Sequence, residues 1–241
     1  STIVLMHILL LSATPFEIQP TVEWLRARAI TETGNLLDFG HLKVEVLFTG
    51  VGQMATAYTL GRRFGSASIP QLAIQAGVGG AIDPKLKLGE VVRITSERLG
   101  DLGAENQQQE HLSMGEIGLF PGLPFDQREV LSLPDGYPSL PFPECAGLTV
   151  NRVNGSAVGI AKMRTRFPEA QVESMEGAAF FYACLLQGIE PLQLRSISNY
   201  VAPRNREAWK LAEAIQSLNE QLQQVLTSFI APASKEAITR D

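Results

Sequence analysis

The sequence predicts an α/β fold: a single domain of three layers, α/β/α, built around a central mixed, twisted β-sheet. Three observations carry this. Continuous apolar runs of strand length recur at Ile3–Leu11, Val44–Thr49, Gln71–Gln75, Glu90–Thr95 and Pro191–Ser196, the pattern of strands covered on both faces. Segments with helical periodicity lie between and after these runs. The chain has 241 residues, and one domain of that size buries about 70–75% of its unfolded surface.

The elements follow in order. The first thirteen residues, Ser1 to Ala13, lack a basic start, and their apolar run falls short of the ~20 residues that cross a bilayer. A buried first strand is expected there, with His7 packed in the core, and no signal peptide. Pro15 to Arg28 reads as a helix, with Phe16, Trp24 and Leu25 among polar residues. Gly50-Val51-Gly52-Gln53-Met54-Ala55 turns from a strand into a helix over Ala55–Phe64. The turn fits a dinucleotide fingerprint, which also needs an acid about 20 residues later. No acid occurs between this turn and Asp83, so the glycines are read as a tight turn near a ligand. Ala76-Gly77-Val78-Gly79-Gly80-Ala81 is expected to be a second glycine-rich turn, after the Gln71–Gln75 strand.

Residues 100–146 break the rhythm. They are polar and then proline-rich, and their leucines, phenylalanines and Tyr137 suggest an ordered loop insert that closes over something. A short strand at Ala170–Glu173 precedes a helix over Met175–Leu186. The last helix carries Trp209, Ala212, Ile215, Leu218, Leu222, Val225 and Phe229 at three- and four-residue steps. Asn205 is placed as its cap and Pro232 just past its end. Residues 232–241 read as a tail, and no domain boundary divides 1–241.

Composition narrows the function. A formal charge of −5, a pI near 5.3 and the lack of any Lys/Arg cluster argue against a nucleic-acid partner. Cys145 and Cys184 are the only cysteines; they suggest neither a metal site nor a disulfide framework, and a reducing cytoplasm is expected. The expected partner is a small molecule, with no membrane and no cofactor.

Several stretches together are specific. Gly79-Gly80-Ala81-Ile82-Asp83-Pro84-Lys85-Leu86-Lys87-Leu88-Gly89-Glu90-Val91-Val92 is similar to a stretch shared by methylthioadenosine/S-adenosylhomocysteine nucleosidases and related purine nucleoside phosphorylases. Asn154 to Arg164, Phe167-Pro168 and Met175-Glu176 continue the resemblance, and Ser12-Ala13-Thr14-Pro15-Phe16-Glu17 looks like the turn that carries the catalytic carboxylate. The similarity spans nearly the whole chain outside Gly100–Ala146. It implies the nucleoside phosphorylase fold, a purine nucleoside substrate and a homodimer.

Cleaving a purine N-glycosidic bond develops positive charge on the sugar and negative charge on the leaving base. By resemblance, Glu17 is the general base that activates water, and Arg195 positions that water and carboxylate. Glu176 accepts hydrogen bonds from the ribose hydroxyls and Met175 packs on the sugar. Ser174, Val78, Gly79 and Val153 complete the substrate-binding set. Val153 falls near the place where related nucleosidases often stack a phenylalanine on the base.

Asn199 separates the subfamilies. Adenine-specific nucleosidases have an aspartate here, whereas asparagine offers two N–H donors to O6 and N7 of a 6-oxopurine. Ile197-Ser198-Asn199, Val201, Arg204, Arg206 and Trp209 resemble the pattern of futalosine hydrolases, as does Asp101-Leu102-Gly103-Ala104-Glu105. That resemblance implies hydrolysis of futalosine to hypoxanthine and dehypoxanthine futalosine in the alternative menaquinone pathway. Arg152, Arg204 and Arg206 are the expected contacts of the aryl carboxylate. The alternatives are a phosphorylase acting on inosine, a methylthioadenosine/S-adenosylhomocysteine or aminodeoxyfutalosine nucleosidase, and a non-catalytic nucleoside-binding protein. Gln75 and Val78 stand where related phosphorylases have phosphate ligands. An inverted Asn199 amide would accept an adenine amine.

Overall fold

A computed structural model describes residues 5–66 and 68–231. The expected start of the first strand at Ile3, Pro232 and the tail lie outside the described residues. Twelve strands and five α-helices follow in the order β1 (Met6–Ser12), α1 (Pro15–Arg26), β2 (Thr31–Thr33), β3 (Leu36–Asp38), β4 (Leu42–Phe48), α2 (Gln53–Ser66), β5 (Leu72–Ala81) and β6 (Val91–Leu99). The second half comprises β7 (Ala104–Glu105), β8 (His111–Leu112), β9 (Leu131–Ser132), β10 (Glu144–Thr149), α3 (Ala157–Arg166), β11 (Val172–Ser174), α4 (Gly177–Gln187), β12 (Glu190–Tyr200) and α5 (Leu211–Ile230).

The central sheet is mixed. Its strand order is β11-β10-β6-β12-β5-β1-β4-β3-β2, with β9 on β6. Strands β4, β1, β5 and β12 run parallel, and β6 is antiparallel to β12. The short β11 pairs with β10 on one side and returns to β5 on the other, so this half of the sheet curls closed.

Helices cover both faces. On one, α1 and α5 bury Ile18, Val22, Leu25, Leu218, Leu222 and Leu226 against Ile8, Leu10, Ile74 and Leu194. Each such side chain contributes about 1.5–3 kcal/mol. On the other face, α2 and α4 pack Leu60, Phe64, Phe180, Phe181 and Cys184 on Leu9, Leu11 and Ala73. A third cluster joins α3, through Ile160 and Met163, to Leu148, Phe167 and Val201.

Three expectations need correction. The glycine run Ala76–Ala81 is no turn; it is the second half of β5, paired with β12 and, at its end, with β11. Asn205 precedes a short 3-10 turn at Arg206–Ala208, and α5 begins only at Leu211, leaving Trp209 outside it. His7 is partly buried and meets Glu45 at 3.0 Å, while Arg63 holds the same carboxylate. The insert is tied down: Leu133 donates to the Thr95 carbonyl at 3.0 Å, Arg93 bonds the Pro138 carbonyl, and Lys162 holds the Gln109 carbonyl at 2.8 Å. Among the described residues no helix is long and apolar enough to cross a membrane.

Candidate active site

The carboxyl ends of β1, β5 and β12 and the starts of α1 and α4 meet at one place, and glycines make room for it. A Cβ added at Gly77 would stand 2.6 Å from Arg195 Nη1 and 3.1 Å from Glu17 Oε1. One at Gly79 would meet Val172 Cγ1 at 2.8 Å, and one at Gly80 would lie 3.2 Å from Asn199 Nδ2. The glycines of β5 therefore admit the side chains of β12, α1 and β11 directly against its backbone.

Glu17 sits in the first turn of α1. Its Oε2 accepts from the Thr14 amide at 3.1 Å and the Thr14 hydroxyl at 3.2 Å, the reach-back of a capping box. Its Oε1 accepts from the Val78 amide at 3.4 Å. Burial raises its pKa above the ordinary glutamate value, and Arg195 opposes part of that rise.

Arg195 is 2% exposed. Its Nη1 donates to the Val78 carbonyl at 3.0 Å and to Glu176 Oε1 at 3.3 Å. Its Nη2 reaches Gln75 Oε1 at 2.9 Å and its Nε reaches Gln193 Oε1 at 2.9 Å. Glu176, directly before α4, also accepts from the Gly52 amide at 3.0 Å. Gly50 and Gly52 adopt φ of 83° and 93°, a conformation that favours glycine. The Gly50–Gly52 turn therefore serves this site by delivering an amide.

Asn199 owes its direction to a bulge. Ile197 pairs with Gly79 and Asn199 with Gly80, so Ser198 is the extra residue. Asn199 Oδ1 accepts from the Ser198 hydroxyl at 2.9 Å and Nδ2 donates to the Tyr200 carbonyl at 3.1 Å, which leaves one amide proton for a ligand. Met175 is half-buried beside Glu176. The Ser174 hydroxyl accepts from the Gly177 amide at 3.2 Å and so caps α4.

The remaining candidates lie further out. Val153 packs against the α3 cluster. Arg152, Arg204 and Arg206 are exposed. The Arg204 amide donates to the Gly155 carbonyl at 3.0 Å, which brings the Arg152 and Arg204 loops together, and its guanidinium lies 5.7 Å from the Trp209 ring. Asn154, in the same loop, is held by the buried Glu173.

Sequence reasoning missed Gln75 as an arginine partner, Gln193, Glu97, Thr149 and Asn219. Only the Thr14-x-x-Glu17 spacing offered a local signal. Among the described residues no group of three or more His, Cys, Asp or Glu is arranged to hold a metal ion.

The profile of the phosphorylase superfamily matches residues 7–231. The chain belongs to that superfamily. Within it, the chain is 31% identical over 175 residues to the futalosine hydrolase of Acidothermus cellulolyticus, covering 70% of each chain. It is 32% identical over 155 residues to the futalosine hydrolase of Streptomyces coelicolor, with 62% of each chain covered, just under two thirds. Among solved structures, the native futalosine hydrolase of Helicobacter pylori matches with a TM-score of 0.72 at 17% identity, over 93% of this chain and 98% of that one. A methylthioadenosine/S-adenosylhomocysteine nucleosidase of Neisseria meningitidis, bound to methylthio-immucillin-A, matches with a TM-score of 0.69 at 18% identity, over 93% of this chain and 100% of that one. This phosphorylase-superfamily chain thus shares its fold both with a futalosine hydrolase and with a methylthioadenosine/S-adenosylhomocysteine nucleosidase.

Proposed function

We propose that this chain is a nucleosidase that hydrolyses futalosine to hypoxanthine and dehypoxanthine futalosine. The observation that carries the reading is the convergence of Glu17, Arg195 and Glu176 around Gly77 and Val78, with Asn199 of β12 opposite Gly80, three residues further along β5. The likeness to curated futalosine hydrolases supports the substrate.

In this reading the ionised Glu17 accepts a proton from water as the water oxygen bonds to C1′ of the ribose. Burial strengthens Glu17 as a base, and the Thr14 and Val78 amides hold its oxygens in place. Glu176 keeps lone pairs for ribose hydroxyls and places negative charge near the developing oxocarbenium ion. As the C1′–N9 bond breaks, its electrons pass into the purine, where the free Asn199 N–H stabilises the anion before solvent protonates it. Met175, Ser174, Val78, Gly79 and Val153 form the rest of the pocket, and Arg152, Arg204 and Arg206 meet the aryl carboxylate.

A phosphorylase reading is weaker, because the Gln75 side chain at the position of an anion ligand is taken by Arg195. Cytoplasmic location fits two buried free cysteines. A homodimer fits the exposed Val51, Met54 and Tyr58 beside Tyr182 and Leu186, an apolar face formed by α2 and α4. Base release from futalosine, inosine and methylthioadenosine, with and without phosphate, tests the function. Phosphate-independent hypoxanthine from futalosine alone supports it; phosphate-dependent release from inosine overturns it.

A further inference from the structure

Glu97 is a fully buried carboxylate with no part in the steps above. Its position on β6 is contrived. Thr95 has no partner in β10, and this bulge puts Glu97 opposite Gly147. A Cβ added at Gly147 would come within 2.5 Å of Glu97 Oε1, and one added at Gly177, the first residue of α4, within 1.9 Å. Two glycines thus form a slot that fits this side chain and no Cβ beside it.

Inside the slot two neutral side chains touch the carboxylate. Thr149 donates its hydroxyl to Oε2 at 2.8 Å and accepts from the Ala178 amide at 2.8 Å. Gln193 donates from Nε2 to Oε1 at 3.1 Å. The charged groups that face Glu97 are Arg195 on β12 and Glu176 at the head of α4. A primary amide has two ends of opposite polarity and can turn over. When ionised, Glu97 only accepts, which compels Gln193 to point Nε2 toward it and Oε1 toward Arg195 Nε, the 2.9 Å bond already described. The reversed amide would oppose its NH2 to the Arg195 N–H and free that edge of the guanidinium.

We propose that Glu97 is a positioning residue: it fixes the orientation of the Gln193 amide, and through it the Arg195 guanidinium that organises Glu176 and Val78. The slot keeps a carboxylate despite its desolvation, which pushes its pKa up to about 7. The inference rests on the role given to Arg195 in the proposed function.

The test exchanges the two polarities, at about pH 8, where most of the carboxyl is ionised. Glu97→Gln removes the compulsion on Gln193, and kcat/KM for base release should fall on the order of tenfold. In the double variant Glu97→Gln/Gln193→Glu, the new amide donates to the new carboxylate, which accepts from Arg195 Nε. That swap restores every hydrogen bond and should recover activity to within about threefold of wild type. A single variant as active as wild type, or a folded double variant no better than the single, overturns the proposal. If the single variant does not fold, the double decides: folded and active as predicted, or else overturned. The Arg195 Nε–H resonance in nuclear magnetic resonance spectra, assigned with Arg195→Lys, gives a substrate-free readout. It should be protected in wild type and the double variant and exposed to exchange in the single. Wild type that fails to cleave futalosine defeats the functional reading alone, and this resonance still tests Glu97.

Discussion

Arg195 Nη1 meets Glu176 Oε1 at 3.3 Å where both side chains are nearly excluded from solvent, 2% and 7% exposed. Glu17 has no such direct ion pair; it faces the same guanidinium across Gly77. The two carboxylates thus stand in different environments. Glu176 is neutralised by a buried partner, and removing one member of such a pair costs about 3–5 kcal/mol. Glu17 keeps the raised pKa of a buried acid. One group suits binding and the other proton transfer.

Gly77→Ala should abolish most activity. The guanidinium that its methyl would strike is pinned by Val78, Glu176, Gln75 and Gln193, so it has nowhere to retreat. A displacement of catalytic groups by about 1 Å can cost on the order of 100-fold. Gly61→Ala, in α2 with open space around it, is the control and should stabilise by up to about 1 kcal/mol. Steady-state kinetics with thermal melts checks both.

Asn219 secures the turn that carries Glu17. Its Nδ2 donates to the Glu17 carbonyl and its Oδ1 accepts from the Thr21 amide and hydroxyl, at 2.8, 3.1 and 2.6 Å. These contacts brace a helix that carries Pro20, which has no amide proton to donate, in its interior. Asn219→Ala should destabilise by about 1–3 kcal/mol and lower kcat. Urea unfolding and initial rates report the two effects.

Stability should depend on pH through Glu97. Its pKa rises from 4.5 to about 7 on folding, so the fold favours the neutral acid. The contribution is complete below the unfolded value and is lost as pH rises through about 7, a change on the order of 3 kcal/mol. Glu45, lowered to about 2 through His7 and Arg63, acts at the other end: its contribution is complete above the unfolded value of 4.5 and is lost as pH falls through about 2. Urea midpoints between about pH 5 and 8 should therefore fall in wild type and flatten in Glu97→Gln.

Asn199→Asp should move base preference toward adenine. A carboxylate accepts from the exocyclic amine and no longer donates to O6. The ratio of turnover on futalosine to that on aminodeoxyfutalosine, which differ only in the base, should fall on the order of tenfold or more.

The sequence made the strands and the chemistry legible to different depths. Apolar runs located β1, β4 and β6, and the helical stripe of α5 stood out. The second half of β5 did not, because Gly77, Gly79 and Gly80 carry no hydrophobic signal. Their job is to have no side chain where Arg195, Val172 and Asn199 approach. Strand β10 was hidden by the prolines before it and by a bulge opposite. Glu17, Glu176, Arg195 and Asn199 were legible as motif positions. The Glu97–Gln193 link was not, since it joins residues 96 apart through a slot made of absent side chains.

The most direct measurement is hypoxanthine release from futalosine in phosphate-free buffer by wild type and Glu17→Gln side by side. Wild type should release hypoxanthine steadily and the variant should lose about 100- to 10,000-fold of that rate, with the fold intact by circular dichroism. A variant that releases hypoxanthine as fast as wild type would contradict the role given to Glu17.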